Sequence, residues 1–144
     1  MKTLFLLLIL SLQVVILNAQ TEEDLVKKVI QSAYVDGLKN FTSLDDIDKG
    51  FHPDFEYIAI GTDSSKISKT PIATWREGVR KAKENGTVPN VKSEAKFLMV
   101  DITGNAAVAK IELYRDKKLV FTDYFSLLKF KEGWRIVSKT SHRH

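Results

Sequence analysis

Residues 91–139 read VKSEAKFLMVDITGNAAVAKIELYRDKKLVFTDYFSLLKFKEGWRIVSK. Three short polar breaks divide this stretch: Thr103-Gly104-Asn105, Arg115 to Lys118, and Lys131-Glu132-Gly133. Between them run segments rich in β-branched and aromatic residues, which suit a pleated, half-buried surface. The expected strands are Val91–Ile102, Ala106–Tyr114, Leu119–Phe130 and Trp134–Lys139. Breaks this short connect only antiparallel neighbours, so the four form a meander, twisted and curved.

Upstream the pattern turns helical. Thr21 can cap a helix whose first turn carries Glu22, Glu23 and Asp24, acids placed where the helix dipole is positive. Leu25, Val29, Ala33, Gly37 and Phe41 recur every fourth residue, beside a second row of Val26, Ile30, Tyr34 and Leu38. Two adjoining rows make a wide apolar stripe, so this long helix lies across a core. A short helix capped by Ser43 runs through Leu44 and Ile47 to Phe51 and stops at His52-Pro53-Asp54, because proline disfavours helix at the residue before it. Phe55–Ile60 reads as a strand, and Gly61–Lys69 as a polar turn. Thr70 then caps a helix with Pro71 at its first position, carrying Ile72, Trp75, Val79 and Ala82 inward and ending at Asn85-Gly86. Helices first and strands later is an α+β order. The expected architecture is a curved antiparallel sheet wrapped, cone-like, around the long N-terminal helix, with two further helices.

The ends bound the compartment. Residues 1–19 combine a positive start at Lys2, an apolar run from Leu4 to Leu17 and a small residue at Ala19. That is the order of a cleavable signal peptide, and the run is short for a bilayer span of about 20 residues. The domain is then residues 20–144, an ordinary single-domain length. No repeat or linker interrupts it. With no cysteine, an exported domain of this kind fits a bacterial periplasm or the outside of a bacterial cell. The sequence Asn40-Phe41-Thr42, and Asn85-Gly86-Thr87 likewise, matches the glycosylation acceptor pattern by chance in such a setting. Twenty-two basic residues against 18 acidic leave a charge of +4, too small and dispersed an excess for nucleic-acid binding. Arg76, Arg80, Lys81 and Lys83 share one helix and read as a solvated face, with an anion site as the sharper alternative.

Four stretches carry a resemblance: Val29–Gly37 (VIQSAYVDG), Phe51–Asp54 (FHPD), Val100–Ala109 (VDITGNAAVA) and Asp123–Lys139 (DYFSLLKFKEGWRIVSK). In this order and spacing the chain resembles the nuclear transport factor 2-like superfamily, and within it the putative lumazine-binding branch. The resemblance implies a conical α+β fold, a pocket between sheet and long helix, and homodimerisation through the sheet. It also places Tyr34 where ketosteroid isomerases of this superfamily carry an oxyanion-donating tyrosine. Those enzymes need a carboxylate base on the first strand. The matching position here is Ile58-Ala59, and Glu56 comes too early, so steroid-isomerase chemistry is disfavoured.

The candidate ligand-pocket residues are Tyr34, Tyr57, Trp75, Asp123, Phe125 and Lys139. Asp123 shares a strand face with Phe121 and Phe125, and Lys139 on the next strand should lie diagonal to it. A strand-interior acid is costly unless partnered, so the pair is either structural or a polar anchor in an aromatic pocket. Tyr34 is either an oxyanion donor or a core tyrosine with a satisfied hydroxyl. Tyr57 and Trp75 either stack on a flat ligand or complete the core. Tyr124 falls on the opposite face from Asp123. His52 is expected in a loop, and His142-Arg143-His144 in a frayed tail. No metal, phosphate or nucleophile motif occurs, so neither a metal nor a cofactor is expected. The leading expectation is a binding protein for an unknown, possibly heteroaromatic, small molecule. Its rivals are an isomerase, cyclase or dehydratase using Tyr34 and Asp123, and a dimeric interaction module.

Overall fold

The computed structural model describes residues 20–144; the signal peptide expected at 1–19 lies outside the described residues. Thr21 caps the first helix as expected: its hydroxyl accepts from the Asp24 amide at 3.1 Å, and Asp24 Oδ2 accepts from the Thr21 amide at 3.3 Å. This reciprocal pair satisfies two otherwise orphaned donors. The α-helical part, α1, spans only Glu22–Val29. From Ile30 to Lys39 the helix is π, and it closes with the Asn40 amide donating to the Val35 carbonyl at 3.0 Å, five residues back. Ile30, Ala33, Tyr34, Val35, Gly37 and Leu38 are all buried. The full burial of Val35 is the mark of the wider turn, because α periodicity left it off the apolar rows. Phe41, expected to end the stripe, instead leaves the helix with a left-handed φ of 58°.

Helix α2, Leu44–Gly50, begins at the Ser43 cap. Strand β1 then runs Phe51–Ile60, four residues earlier than expected. His52-Pro53-Asp54 lies inside it rather than in a loop. Proline is accommodated because the pairing with the last strand shifts register between Phe51 and Glu56, and a bulge frees the missing donor from any ladder duty. The polar stretch read as a turn contains a further strand, β2, Ile67–Pro71, antiparallel to β1. Its side chains are mostly exposed, so no alternation announced it. Thr70 pairs with Tyr57 in that ladder and cannot cap; Pro71 is the cap residue, and α3 spans Ile72–Glu84.

The meander is as expected in order: β3 Ser93–Thr103, β4 Ala106–Arg115, β5 Lys118–Phe130 and β6 Gly133–Arg143. Strand β6 runs past Lys139, so the C-terminal residues are not a frayed tail. His142 pairs with Thr122, and the His144 amide donates to the Val120 carbonyl at 3.1 Å. The six strands form one sheet in the order β2-β1-β6-β5-β4-β3. It is antiparallel except for β1 beside β6, which is parallel, so the sheet is mixed and open at β2 and β3. Register shifts in the β3–β4, β4–β5 and β5–β6 ladders bend the long strands. The helices fill the concave side. Ile111 and Leu113 of β4, Phe125 and Leu127 of β5, and Ile136 of β6 are buried in one core with the apolar residues of the π segment, and Phe125 meets Tyr34 directly. No described helix is long and apolar enough to cross a membrane.

Candidate functional site

Asp123 is fully buried on the concave face of β5. Its two oxygens take three donors from three directions. Tyr34 of the π segment donates its hydroxyl to Oδ2 at 2.7 Å. Lys139 of β6 donates to Oδ1 at 2.5 Å, and Ser141 donates to the same oxygen at 2.7 Å. Lys139 also donates to the Ser141 hydroxyl. The ladder explains the convergence: Asp123 is opposite Ser141 and Phe125 opposite Lys139, so the lysine reaches diagonally, as the alternation predicted. Burial pushes the Tyr34 phenol well above its ordinary value, and the neighbouring Asp123 carboxylate pushes it the same way. Tyr34 therefore stays protonated and donating. Burial lowers the Lys139 ammonium, opposed by Asp123.

Around this network the aromatic residues close in. The Lys139 Nζ lies 4.8 Å from the Tyr57 ring centre, 5.1 Å from Tyr34, 5.8 Å from Phe125 and 6.0 Å from Trp75. Tyr34 meets Phe125 edge-on at 5.0 Å, and Tyr57 meets Trp75 at 5.1 Å. All six residues selected from the sequence thus gather about one ammonium group. Tyr34, Asp123, Phe125 and Lys139 are 0–3% exposed; Tyr57 and Trp75 are half-buried. The space between helix and sheet at this point is occupied by side chains. Glu56 pairs with Lys69 at 2.7 Å. Tyr124 is exposed on the convex face.

An open groove of about 370 Å³ adjoins the cluster. Leu38, Lys39 and Phe41 form one wall, and Thr74, Trp75, Gly78 and Val79 of α3 the other. Trp75 is the member of the six that belongs to both cluster and groove. Lys39 was not selected from the sequence, and the reason is geometric. In an α-helix a residue five places on lies about 140° from Tyr34; in a π turn it returns to the same face. The Lys39 Nζ accordingly sits 5.1 Å from the Tyr34 ring centre. Ser141 was also missed, though alternation two residues beyond Lys139 would have found it had the strand been extended. The cations of α3 are engaged: Arg76 with Asp48 at 2.5 Å, Arg80 with Glu77 at 2.6 Å and with Glu84, and Lys83 with the carbonyls of Phe41 and Thr42 at 2.8 and 3.0 Å. Asn40 is engaged as well, its amide bridging the Ser93 backbone at 2.7 and 3.0 Å.

A family model described as putative lumazine-binding matches residues 21–142. Among solved structures, an NTF2-like protein of unknown function from Shewanella baltica superposes with a TM-score of 0.65 at 28% identity, over 85% of this chain and 94% of that one. One from Silicibacter pomeroyi gives 0.64 at 15% identity, over 83% and 93%. One from Methylobacillus flagellatus gives 0.59 at 23% identity, over 85% and 92%. No curated protein matches the chain.

Proposed function

The chain belongs to the family described as putative lumazine-binding, within the nuclear transport factor 2-like superfamily, and on that premise we propose that it is an exported binding protein for a small, flat, largely apolar or heteroaromatic molecule. The observation that carries the reading is the groove beside Trp75. Its volume of about 370 Å³ matches that of other surface grooves, 320–420 Å³, and what distinguishes it is that Trp75 joins it to the buried aromatic cluster about Lys139. Trp75 is backed by Tyr57 and Phe55, with ring centres 5.1 and 5.7 Å away.

Binding is favoured over catalysis because the chain's best acid–base pair is spent on itself. Asp123 accepts three hydrogen bonds and has no exposed surface. A general base must reach the proton it removes, and this carboxylate reaches only Tyr34, Lys139 and Ser141. Export is supported by the order of charge, apolar run and small residue across 1–19. A homodimer through the convex sheet face is supported by Met99, Val108, Tyr124 and Leu128, which are 40–46% exposed there.

Native mass spectrometry of protein purified from its own source tests both halves. The expected result is a polypeptide starting at Gln20 that carries a small-molecule adduct. An intact Met1 would remove export. A consistently empty protein that also refuses a panel of heteroaromatic compounds would remove the binding function.

A further inference from the structure

We propose that Lys39 makes the groove selective for small aromatic anions, its ammonium receiving the ligand's charged group while the ligand ring lies against Trp75. The proposal rests on the groove being the ligand site and adds the class of ligand. Lys27, Lys49, Lys69 and Lys129 each sit 2.5–2.7 Å from a carboxylate. Among the described residues no carboxylate lies within 4 Å of the Lys39 Nζ. Lys28, Lys110 and Lys118 likewise have no carboxylate partner among the described residues, and what sets Lys39 apart is its place among three rings on the groove wall. It faces Tyr34 at 5.1 Å, Phe121 at 5.4 Å and Trp75 at 5.9 Å. Ring faces attract a cation but are weak substitutes for an anionic acceptor.

The surrounding charges leave that acceptor missing. Lys139 of β6, Arg115 of β4 and Asp123 of β5 act on Lys39. The one carboxylate among them is already shared by Tyr34, Lys139 and Ser141. From α3, Lys83 is spent on two carbonyls. Two further cations and a saturated acid therefore surround an ammonium on the wall of an open groove. Burial, and then repulsion from Lys139, lower Lys39 from 10.5 to about 8. An anion entering the groove would supply the missing counter-charge and draw the amine back to its protonated form. Only the protonated amine attracts the anion, so binding weakens as pH rises through about 8.

The test uses 8-anilinonaphthalene-1-sulfonate and its uncharged counterpart N-phenyl-1-naphthylamine, followed by fluorescence, with the Gly78 amide resonance reporting occupancy of the groove. The expected result is a preference for the sulfonate of about tenfold or more, the size of one charge-assisted hydrogen bond. It should fall away above pH 8, collapse to near parity in Lys39→Met and persist in Lys39→Arg. Equal affinity for the two probes in the unsubstituted protein overturns the selectivity while leaving groove binding intact. So does a preference that survives Lys39→Met, or one that leaves the Gly78 resonance unmoved. Failure of both probes to bind overturns the groove itself, and this proposal with it.

Discussion

Asp123 and Lys139 form a buried pair 2.5 Å apart, each at most 3% exposed. Two charges taken out of water cost several kcal/mol each unless geometry and extra hydrogen bonds compensate. Here Tyr34 and Ser141 provide those bonds. Removing one partner strands the other, so Asp123→Asn or Lys139→Met alone should each cost about 3–5 kcal/mol. The double substitution should cost less than the two losses combined, because neither charge is then left alone. Urea unfolding of the four proteins measures this; additive losses would show that the pair is not coupled. Asp123→Asn should leave binding of a neutral ligand in the groove unchanged, since Asp123 does not line it. Asp123 is satisfied inside the core by Tyr34, Lys139 and Ser141, and Lys39 is the charge left over for a ligand.

The helix that carries Tyr34 and Lys39 is closely packed along its side and fastened at its end. Helix α2 packs on it through Gly50: a Cβ there would lie 2.2 Å from the Ala33 Cβ. In an exposed helix, glycine to alanine gains up to about 1 kcal/mol from backbone entropy. Here the methyl would have to push two helices apart, and overpacking of this kind costs about 1–3 kcal/mol. Gly50→Ala should therefore destabilise, against the propensity trend. Ala33→Gly added to it should recover part of the loss by vacating the clashing position. Thermal unfolding by calorimetry reads both changes; a Gly50→Ala protein more stable than the original would mean the helices separate freely. At the other end, Asn40 bridges the Ser93 backbone and fastens the helix C-terminus to the first residue of β3. Phe41 then turns through a left-handed φ to enter the groove wall.

At the scale of the molecule the open sheet leaves its convex face uncovered. Leu128 and Val108 sit on adjacent strands there, with Tyr124 beside the Lys110 ammonium at 5.3 Å. If copies of the chain associate through this face, Leu128→Glu should place like charges opposite each other and shift the protein to monomer. Sedimentation velocity over a range of concentrations checks it, and an original protein that stays monomeric throughout removes the dimer. The sequence by itself determined the elements that repeat with a local period. Alternation marked the four-strand meander and the inward face of Asp123. Capping residues marked the helix starts at Thr21 and Ser43, and strand geometry put Lys139 diagonal to Asp123. Those signals are local because side-chain direction in regular structure depends on neighbours a few residues away. Tertiary structure alone decided what local period cannot encode. The bulge that admits Pro53 into β1, the pairing that makes β2 a strand, and the parallel seat of β1 beside β6 all come from contacts between distant segments. So does the π turn from Ile30 to Lys39, which no α-helical period predicts. That turn decides the site, because it brings Lys39 back beneath Tyr34 and leaves its charge at the edge of the groove.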